Sequence, residues 1–523
     1  MRTALPDYIE AMLSPEAYPH PVGRVKLIQT HISYVFLAGD FVYKVKKPVD
    51  LGFLDFTTLE KRRHFCQQEV RLNRRLCHRT YLDVVPVSFV AGVVQVDAAG
   101  AVVDYAVKMR RLPDERMMPH LLRHDAVTRD MLARLAGRIA EFHAAAETSD
   151  EIAAFGGLET VLGNWRENFE QTEPYIGRTI TRRQFEEIRS YVGDFSRREA
   201  GLFAQRVREG RVRDCHGDLR AEAVCFEDDV CIFDCIEFNE RFRYSDVAAD
   251  LAFLAMDLDS RGRRDLADEL VGLYLAQAAD PTLPLVLNFY RCYRAYVRGK
   301  VDGFQLDEPE VPDRQKAAAR RRARSFFRLA HAYATQSIPG ALMITVGPSG
   351  TGKSYLANAL AGRVGAALYS SDVSRKRLLG IEPTEPHEEP IDAGIYSPEL
   401  TERTYRRMLE EAQPHLERGR PVLLDATYLR REQRAEAAQL AAQTGARFLA
   451  LECRAGERLI RRRLARRLDE PKAVSDGRLE VYEAQKARYE PPTELPRAQR
   501  LIVDTKSPLP EQMERVVDKL SEG

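Results

Sequence analysis

Residues 341–354 read ALMITVGPSGTGKS, an apolar run followed by a glycine-rich turn that ends in Lys353 and Ser354. Gly347, Gly352, Lys353 and Ser354 match G-x-x-x-x-G-K-[ST], and the flanking strand and helix patterns supply the context this phosphate-binding loop requires. Its glycines let the backbone curl, so that the N–H groups of Ser349, Gly350, Thr351 and Gly352 turn toward a β-phosphate with the positive end of a helix behind them. Lys353 is then expected on the β- and γ-oxygens and Ser354 on Mg²⁺.

Downstream the pattern alternates: AALYSSD, a helix across 399–418, PVLLDA, a helix from about 431, RFLALEC, further helix and RLIVD. Alternation of this kind predicts a parallel sheet covered on both faces. A nucleotide-driven motor needs a glutamate after the strand-end aspartate to orient water. Here Asp425 is followed by Ala426, which favours transfer to a hydroxyl over hydrolysis.

With 523 residues the chain is too long for one core. Its 44% hydrophobic and 30% charged residues are those of an ordinary globular protein, and a net charge of +1 gives no global pull toward nucleic acid or membrane. The N-terminus carries Asp7 and Glu10 where a signal peptide needs an unbroken apolar stretch, so a cytoplasmic protein is expected, with no membrane partner. Eight cysteines include no C-x-x-C pair, and several lie in apolar strand-like surroundings such as VCIFDCIEF, which predicts buried, reduced thiols and not a metal site. The stretch 313–334 is basic and rich in helix formers; it is expected to close the first domain as a helix with a solvated charged face, a basic surface for nucleotide or RNA being the alternative. The expected division is 1–335 and 336–523, the first part being a small strand-rich lobe followed by a larger helical lobe.

Within the first part, HGDLRAEAV runs from His216 to Val224, and VCIFDCIEF places Asp234 at the end of an apolar strand. In a kinase catalytic loop the aspartate accepts the substrate proton and an asparagine five residues on binds metal. Asp218 fills the first role, but the fifth position is Ala223. Asp234 is the expected Mg²⁺ ligand, Arg220 a cation facing the transferred phosphate, and Glu222 an alternative ligand. Upstream, FVYKVKKP offers Lys44 or Lys46 as the lysine gripping α/β-phosphates; both point to one face of a strand, and Lys44 is preferred. Glu69 is the expected ion-pair partner, with a plain surface helix as the alternative. VKMRRLP (107–113) reads as the strand into an interlobe hinge, whereas THISYVFLAGD lacks the usual loop glycines.

HGD, the strand-end Asp234 and Asp250 in DLA together resemble the aminoglycoside phosphotransferase and choline kinase family. GPSGTGKS, SSDVSRK (371–376 within it), LLDATYLR (423–430) and RRRLARR (461–467) resemble the small P-loop kinases of the gluconate kinase, polynucleotide kinase and zeta-toxin type, which are grouped with AAA ATPases. The implied fold class is α/β and α+β in two domains, a protein-kinase-like bilobal domain followed by a P-loop NTPase with a doubly wound parallel sheet. The second resemblance implies Asp372 as general base, Arg375 on the substrate, Asp425 assisting Mg²⁺ or substrate, and Arg463 with Arg467 as a lid; those arginines are four apart and share a helix face. Asp372 as a helix N-cap, and the arginines as a solvated face, stand beside that reading. Both halves are then expected to use ATP and Mg²⁺. The acceptor is a hydroxyl on a small molecule, a nucleotide or, less favoured, a nucleic-acid end; two other classes, a regulatory ATP-binding module and an ATP hydrolase, stay open. No acidic pocket for an aminoglycoside is legible.

Overall fold

The computed structural model describes residues 5–309, 311–335, 340–381, 394, 397–468 and 479–521. The chain gathers into two compact units that do not follow it linearly. One contains Met1–Tyr175, Ser196–Asp257 and Lys300–Ala323; the other contains Ile176–Phe195, Leu258–Gly299 and Arg324–Gly523.

In the first unit, β1 (Val25–Gln29), β2 (Ser33–Ala38), β3 (Phe41–Lys46), β4 (Tyr81–Val90), β5 (Val93–Val96) and β6 (Ala101–Arg110) form an antiparallel sheet in the order β1-β2-β3-β6-β4-β5. Side chains alternate along β3. Tyr43 and Val45 go into a core with Ile9, Phe36, Val85 and Ala106, so Lys44 and Lys46 take the opposite face. There they meet the helix Leu59–Asn73, whose first turn is capped by the Thr58 hydroxyl accepting from Lys61 N at 3.2 Å. That helix buries Cys66 and Val70 against Val107 and Met109 of β6 and against Cys225 and Cys231.

Four short strands carry the loops that matter. β7 (Val212–Asp214) pairs with β10 (Tyr244–Asp246), and β8 (Val224–Phe226) pairs with β9 (Val230–Ile232), both antiparallel. The HGD loop lies between β7 and β8, and Asp234 follows β9. Six cysteines are buried thiols, as expected, but Cys77 and Cys231 are joined in a disulfide. Their Cα atoms are 4.7 Å apart, within bridging range; a separation of 154 residues kept that proximity out of view in the sequence.

The second unit contains a fully parallel sheet of β11 (Ala341–Val346), β12 (Ala367–Ser370), β13 (Val422–Asp425), β14 (Arg447–Arg454) and β15 (Arg500–Asp504), ordered β12-β13-β11-β14-β15. All six residues of β11 are buried, as a strand covered on both faces requires. The helix Lys353–Val364 packs on Arg264–Ala278. A Cβ on Gly272 would lie 2.9 Å from Ala359 N, and one on Gly362 would lie 2.4 Å from Val271 Cγ1, so the close approach depends on both glycines. Tyr355 Oη donates to Glu269 Oε1 at 2.6 Å and Arg363 Nη1 to Asp268 Oδ2 at 2.8 Å along the same seam.

The basic stretch forms the helix Asp313–Thr335. Ala319, Ala323, Phe327, Ala330 and Tyr333 make its buried stripe, while Arg320, Arg321 and Arg324 are exposed. Among the described residues no helix is long and apolar enough to cross a membrane.

Candidate active sites

The second unit's site is assembled at the carboxyl ends of β11, β12 and β13, where ligands bind in open parallel sheets. Gly352 precedes the helix Lys353–Val364 with φ 94°, and a Cβ there would come within 2.9 Å of Arg463 Nη1. Gly347, at φ 137°, faces Cys453 O, which a Cβ would approach to 2.8 Å. Only glycine satisfies both the backbone and the space at these positions. Lys353 is buried and donates to Pro348 O at 2.8 Å, folded over its own loop. Ser349 N donates to Gln485 Oε1 at 2.7 Å, and the Thr351 hydroxyl to Pro348 O at 2.8 Å.

Register pairs Ser370 with Asp425, so β12 and β13 end side by side. Burial pushes the Asp425 carboxyl up, the Ser354 hydroxyl hydrogen-bonded to it and Lys353 pull it down, and nearby Asp372 adds to the upward push. Thr345 Oγ1 lies 3.1 Å from Asp425 Oδ1 and donates to Ala426 O at 2.8 Å. A hydroxyl and a buried carboxylate held together suit a hard cation. Asp372 sits in the first turn of the helix Ser371–Leu378, whose N-cap is Ser370. Its Oδ1 accepts from Arg375 Nη1 at 3.2 Å, and Arg375 is buried. Arg463, from the helix Glu457–Leu468, donates to Thr505 Oγ1 at 3.0 Å and Thr505 O at 2.7 Å beside the loop. The side chain of Arg467 lies outside the described residues. Gln485, Thr345 and Thr505 escaped sequence reading because each acts through a contact distant in the chain.

The first unit's site centres on charge. Lys44 Nζ is 2.8 Å from Glu69 Oε1 and 2.8 Å from Asp234 Oδ1; Lys46 Nζ is 2.7 Å from Glu69 Oε2 and also pairs with Glu237. Lys46 is wholly buried, whereas the Asp234 side chain is 56% exposed, so Lys44 is the lysine at the open end. Glu69 is buried and bridges both lysines, which excludes the plain surface helix. Burial alone would depress the Lys44 ammonium, but Asp234 and Glu69 hold it well above its ordinary value. Lys44 in turn holds the Asp234 carboxyl down at about 2. Asp234 has φ 63°, a strained conformation for a residue with a side chain.

Asp250 anchors the HGD loop: its oxygens accept from His216 N and Gly217 N, each at 2.9 Å, and from His143 Nε2 at 3.3 Å. His143, Cys215 and Asp250 bring potential metal-ligand atoms within 4.8 Å of one another, but these hydrogen bonds already engage the carboxylate. Asp257 Oδ2 accepts from Ala221 N at 3.0 Å and fixes the next turn. Arg220 forks onto Asp218, Nε to Oδ1 at 2.8 Å and Nη2 to Oδ2 at 2.7 Å. Glu222 faces Arg220 at 3.6 Å. Ala223 is buried, and its carbonyl accepts from Phe233 N at 2.9 Å, tying the loop to the segment that carries Asp234. In the β1–β2 turn the Thr30 hydroxyl accepts from Ile32 N at 3.3 Å and Ser33 N at 2.9 Å, engaging amides that a glycine-rich loop would leave open. His143, Asp257 and Glu237 were missed; only Glu237, three residues after Asp234, lay near a recognised motif.

A model of the phosphotransferase enzyme family matches residues 59–285, and an AAA domain model matches residues 342–492. Uncharacterized proteins of Mycobacterium bovis and Mycobacterium tuberculosis are 32% identical over 475 residues, covering 90% of this chain and 91% of theirs. The chain belongs to their family. Its matched regions make it a kinase-type phosphotransferase, with the protein-kinase-like region first and the P-loop region second. Similar solved structures include a choline/ethanolamine kinase family protein from Mesorhizobium loti (14% identity, 60% of this chain and 92% of that one, TM-score 0.34). A gluconokinase from Sinorhizobium meliloti (19%, 36% and 94%, TM-score 0.26) and the Mycobacterium tuberculosis APS kinase with AMPPNP and APS (22%, 35% and 99%, TM-score 0.27) are also similar.

Proposed function

We propose that the P-loop region transfers the γ-phosphate of ATP to a hydroxyl of a small molecule or nucleotide in the cytoplasm. The observation carrying this is the placement of Asp372 and Asp425 at adjoining strand ends beside Lys353 and Ser354, with Ala426 where a water-orienting glutamate would stand. Asp372 takes the acceptor proton and Arg375 orients both the base and the acceptor. Lys353 leaves Pro348 O for the phosphate oxygens, and Arg463 with Arg467 meets developing charge, a role worth about 10³–10⁵ in rate for arginines in other phosphoryl-transfer enzymes. Ser354 and Asp425 would hold Mg²⁺, which when bound supplies charge neutralisation between the phosphates. Turnover of labelled ATP against a panel of sugars, nucleosides and oligonucleotide ends tests this. Acceptor-dependent product that Asp372→Asn abolishes is expected; acceptor-independent hydrolysis unaffected by that change would refute it.

The protein-kinase-like region, residues 1–335 in functional terms, is read as a second ATP site of restrained chemistry, with Lys44 and Glu69 at the phosphates and Asp234 as its metal ligand. A regulatory role is favoured there by Ala223, by the Arg220 fork on Asp218 and by the closed β1–β2 turn.

A further inference from the structure

The stretch Asn73–Tyr81, leading from the helix Leu59–Asn73 into β4, holds the segment around Asp234 at four points. Leu76 O accepts from Ile232 N at 3.5 Å, the Tyr81 hydroxyl from Asp234 N at 3.2 Å, and Asn73 Oδ1 from Cys235 N at 2.8 Å. The fourth tie is the covalent one, Cys77 to Cys231. Both cysteines line a cleft of ≈ 950 Å³ whose walls include Asp40, Arg79, Arg110 and Glu115. The six free cysteines are all buried, and none lines that cleft. Cys77 and Cys231 are themselves only 4% and 7% exposed but are the two cysteines that line the cleft, so the cleft is the route by which a dissolved thiol reaches a sulfur, and walls of both charge signs suit a small thiol carrying carboxylate and ammonium groups.

We propose that Cys77–Cys231 is a thiol–disulfide exchange site, opened in the folded protein by a small zwitterionic thiol that enters through this cleft. The thiolate of the incoming molecule attacks one Sγ; the S–S bond breaks and its electron pair leaves on the other Sγ, which takes a proton from water. A second thiol attacks the mixed disulfide, releasing the remaining cysteine. Two small thiols are oxidised to their disulfide and the protein pair gains two electrons and two protons. Opening leaves the Asn73–Tyr81 stretch tied to the segment around Asp234 by its three hydrogen bonds, with the Lys44 ion pair on the carboxylate untouched, so the exchange loosens the backbone that carries Asp234.

The test uses the full chain, glutathione as the probe, and acid quenching followed by alkylation and peptide mapping. The expected result is opening of the 77–231 bond at a rate proportional to glutathione concentration while intrinsic fluorescence stays that of the folded protein, with closure on adding glutathione disulfide. Arg79→Trp, which narrows the cleft, is expected to slow opening severalfold. A rate independent of glutathione concentration, one equal to global unfolding, a bond absent at every thiol-to-disulfide ratio, or an Arg79→Trp protein that folds and opens at the natural rate would each overturn the proposal. Because the readout is on the cysteines, its failure is separate from any failure of the ATP reading.

Discussion

Arg220 grips both carboxylate oxygens of Asp218, with Nε 2.8 Å from Oδ1 and Nη2 2.7 Å from Oδ2, while its guanidinium lies over the Phe253 ring at 5.8 Å. A forked pair of this geometry is stronger than a single hydrogen bond and occupies the lone pairs a general base would use. The loop also lacks a metal-binding side chain at Ala223. Turnover by the protein-kinase-like region is therefore expected to be slow, and Arg220→Gln with Ala223→Asn, in a Lys353→Ala background that silences the P-loop, is expected to raise it by ~10–100-fold, the range by which the surroundings of a metal site change activity. Labelled ATP turnover measures this; an unchanged rate would count against a restrained kinase site.

Lys44 and Lys46 sit two residues apart on one strand face yet have different work. Lys46 is wholly buried between Glu69 and Glu237; burial raises the Glu237 carboxyl, while the lysines pull Glu69 down against its own burial. Lys46→Met leaves buried acid uncompensated, which costs about 3–5 kcal/mol, read as a lower urea midpoint. Lys44→Met is expected to cost less stability and to abolish ATP binding by this region. It also frees Asp234, whose depressed value of about 2 gives stability present above the ordinary 3.8 and lost as pH falls toward 2. Unfolding midpoints across that window should decline less in Lys44→Met than in the natural protein.

The phosphate loop, the HGD loop, Asp234 and Asp250 were legible because each motif is local, its residues close enough in sequence to show their geometry. Lys44 and Lys46 could not be told apart because strand periodicity gives them the same face, and the groups that separate their roles, Asp234 beside Lys44 and Glu237 beside Lys46, lie 190 and 191 residues away in the chain. The Arg220 fork was hidden for another reason, since a side chain two residues away can turn to solvent, phosphate or its neighbour. Cys77 and Cys231 needed the fold to bring them together. The packing of the helix Arg264–Ala278 on the helix Lys353–Val364 was likewise out of reach, because it joins segments far apart in the chain.

His415 is enclosed between Tyr369 Oη, 2.9 Å from its Nε2, and Arg420 Nη1, 3.1 Å from its Nδ1. Arg420 donates, so Nδ1 accepts and the ring is neutral. Burial first, then Arg420, pushes the imidazole from 6.5 down to about 4. A depressed folded value gives stability that is complete above 6.5 and lost as pH falls toward 4, up to about 3 kcal/mol at 1.36 kcal/mol per pH unit. His415→Gln keeps polar partners without titrating, and its urea midpoint should lose that pH dependence between 6.5 and 4. A profile parallel to the natural protein's would assign the acid sensitivity elsewhere.

Gly362 and Gly272 set how closely the helix Lys353–Val364 lies on Arg264–Ala278. A Cβ at 362 would enter Val271 at 2.4 Å, inside any real contact, and overpacking of this kind costs about 1–3 kcal/mol. Because the same helix begins at Lys353 and Ser354, a shift along the seam also moves the groups that meet phosphate. Gly362→Val is therefore expected to lower the unfolding midpoint and weaken ATP binding by the P-loop region together, whereas Arg363→Gln, which takes one cation from the buried Asp268, lowers the midpoint and leaves ATP binding little changed. A fragment beginning at residue 336 lacks Leu258–Gly299 and leaves the apolar side of that helix uncovered. Its melt should be broad and low, and adding the 258–299 segment through an N-terminal linker should sharpen it; a cooperative melt of the bare fragment would show that the seam is dispensable.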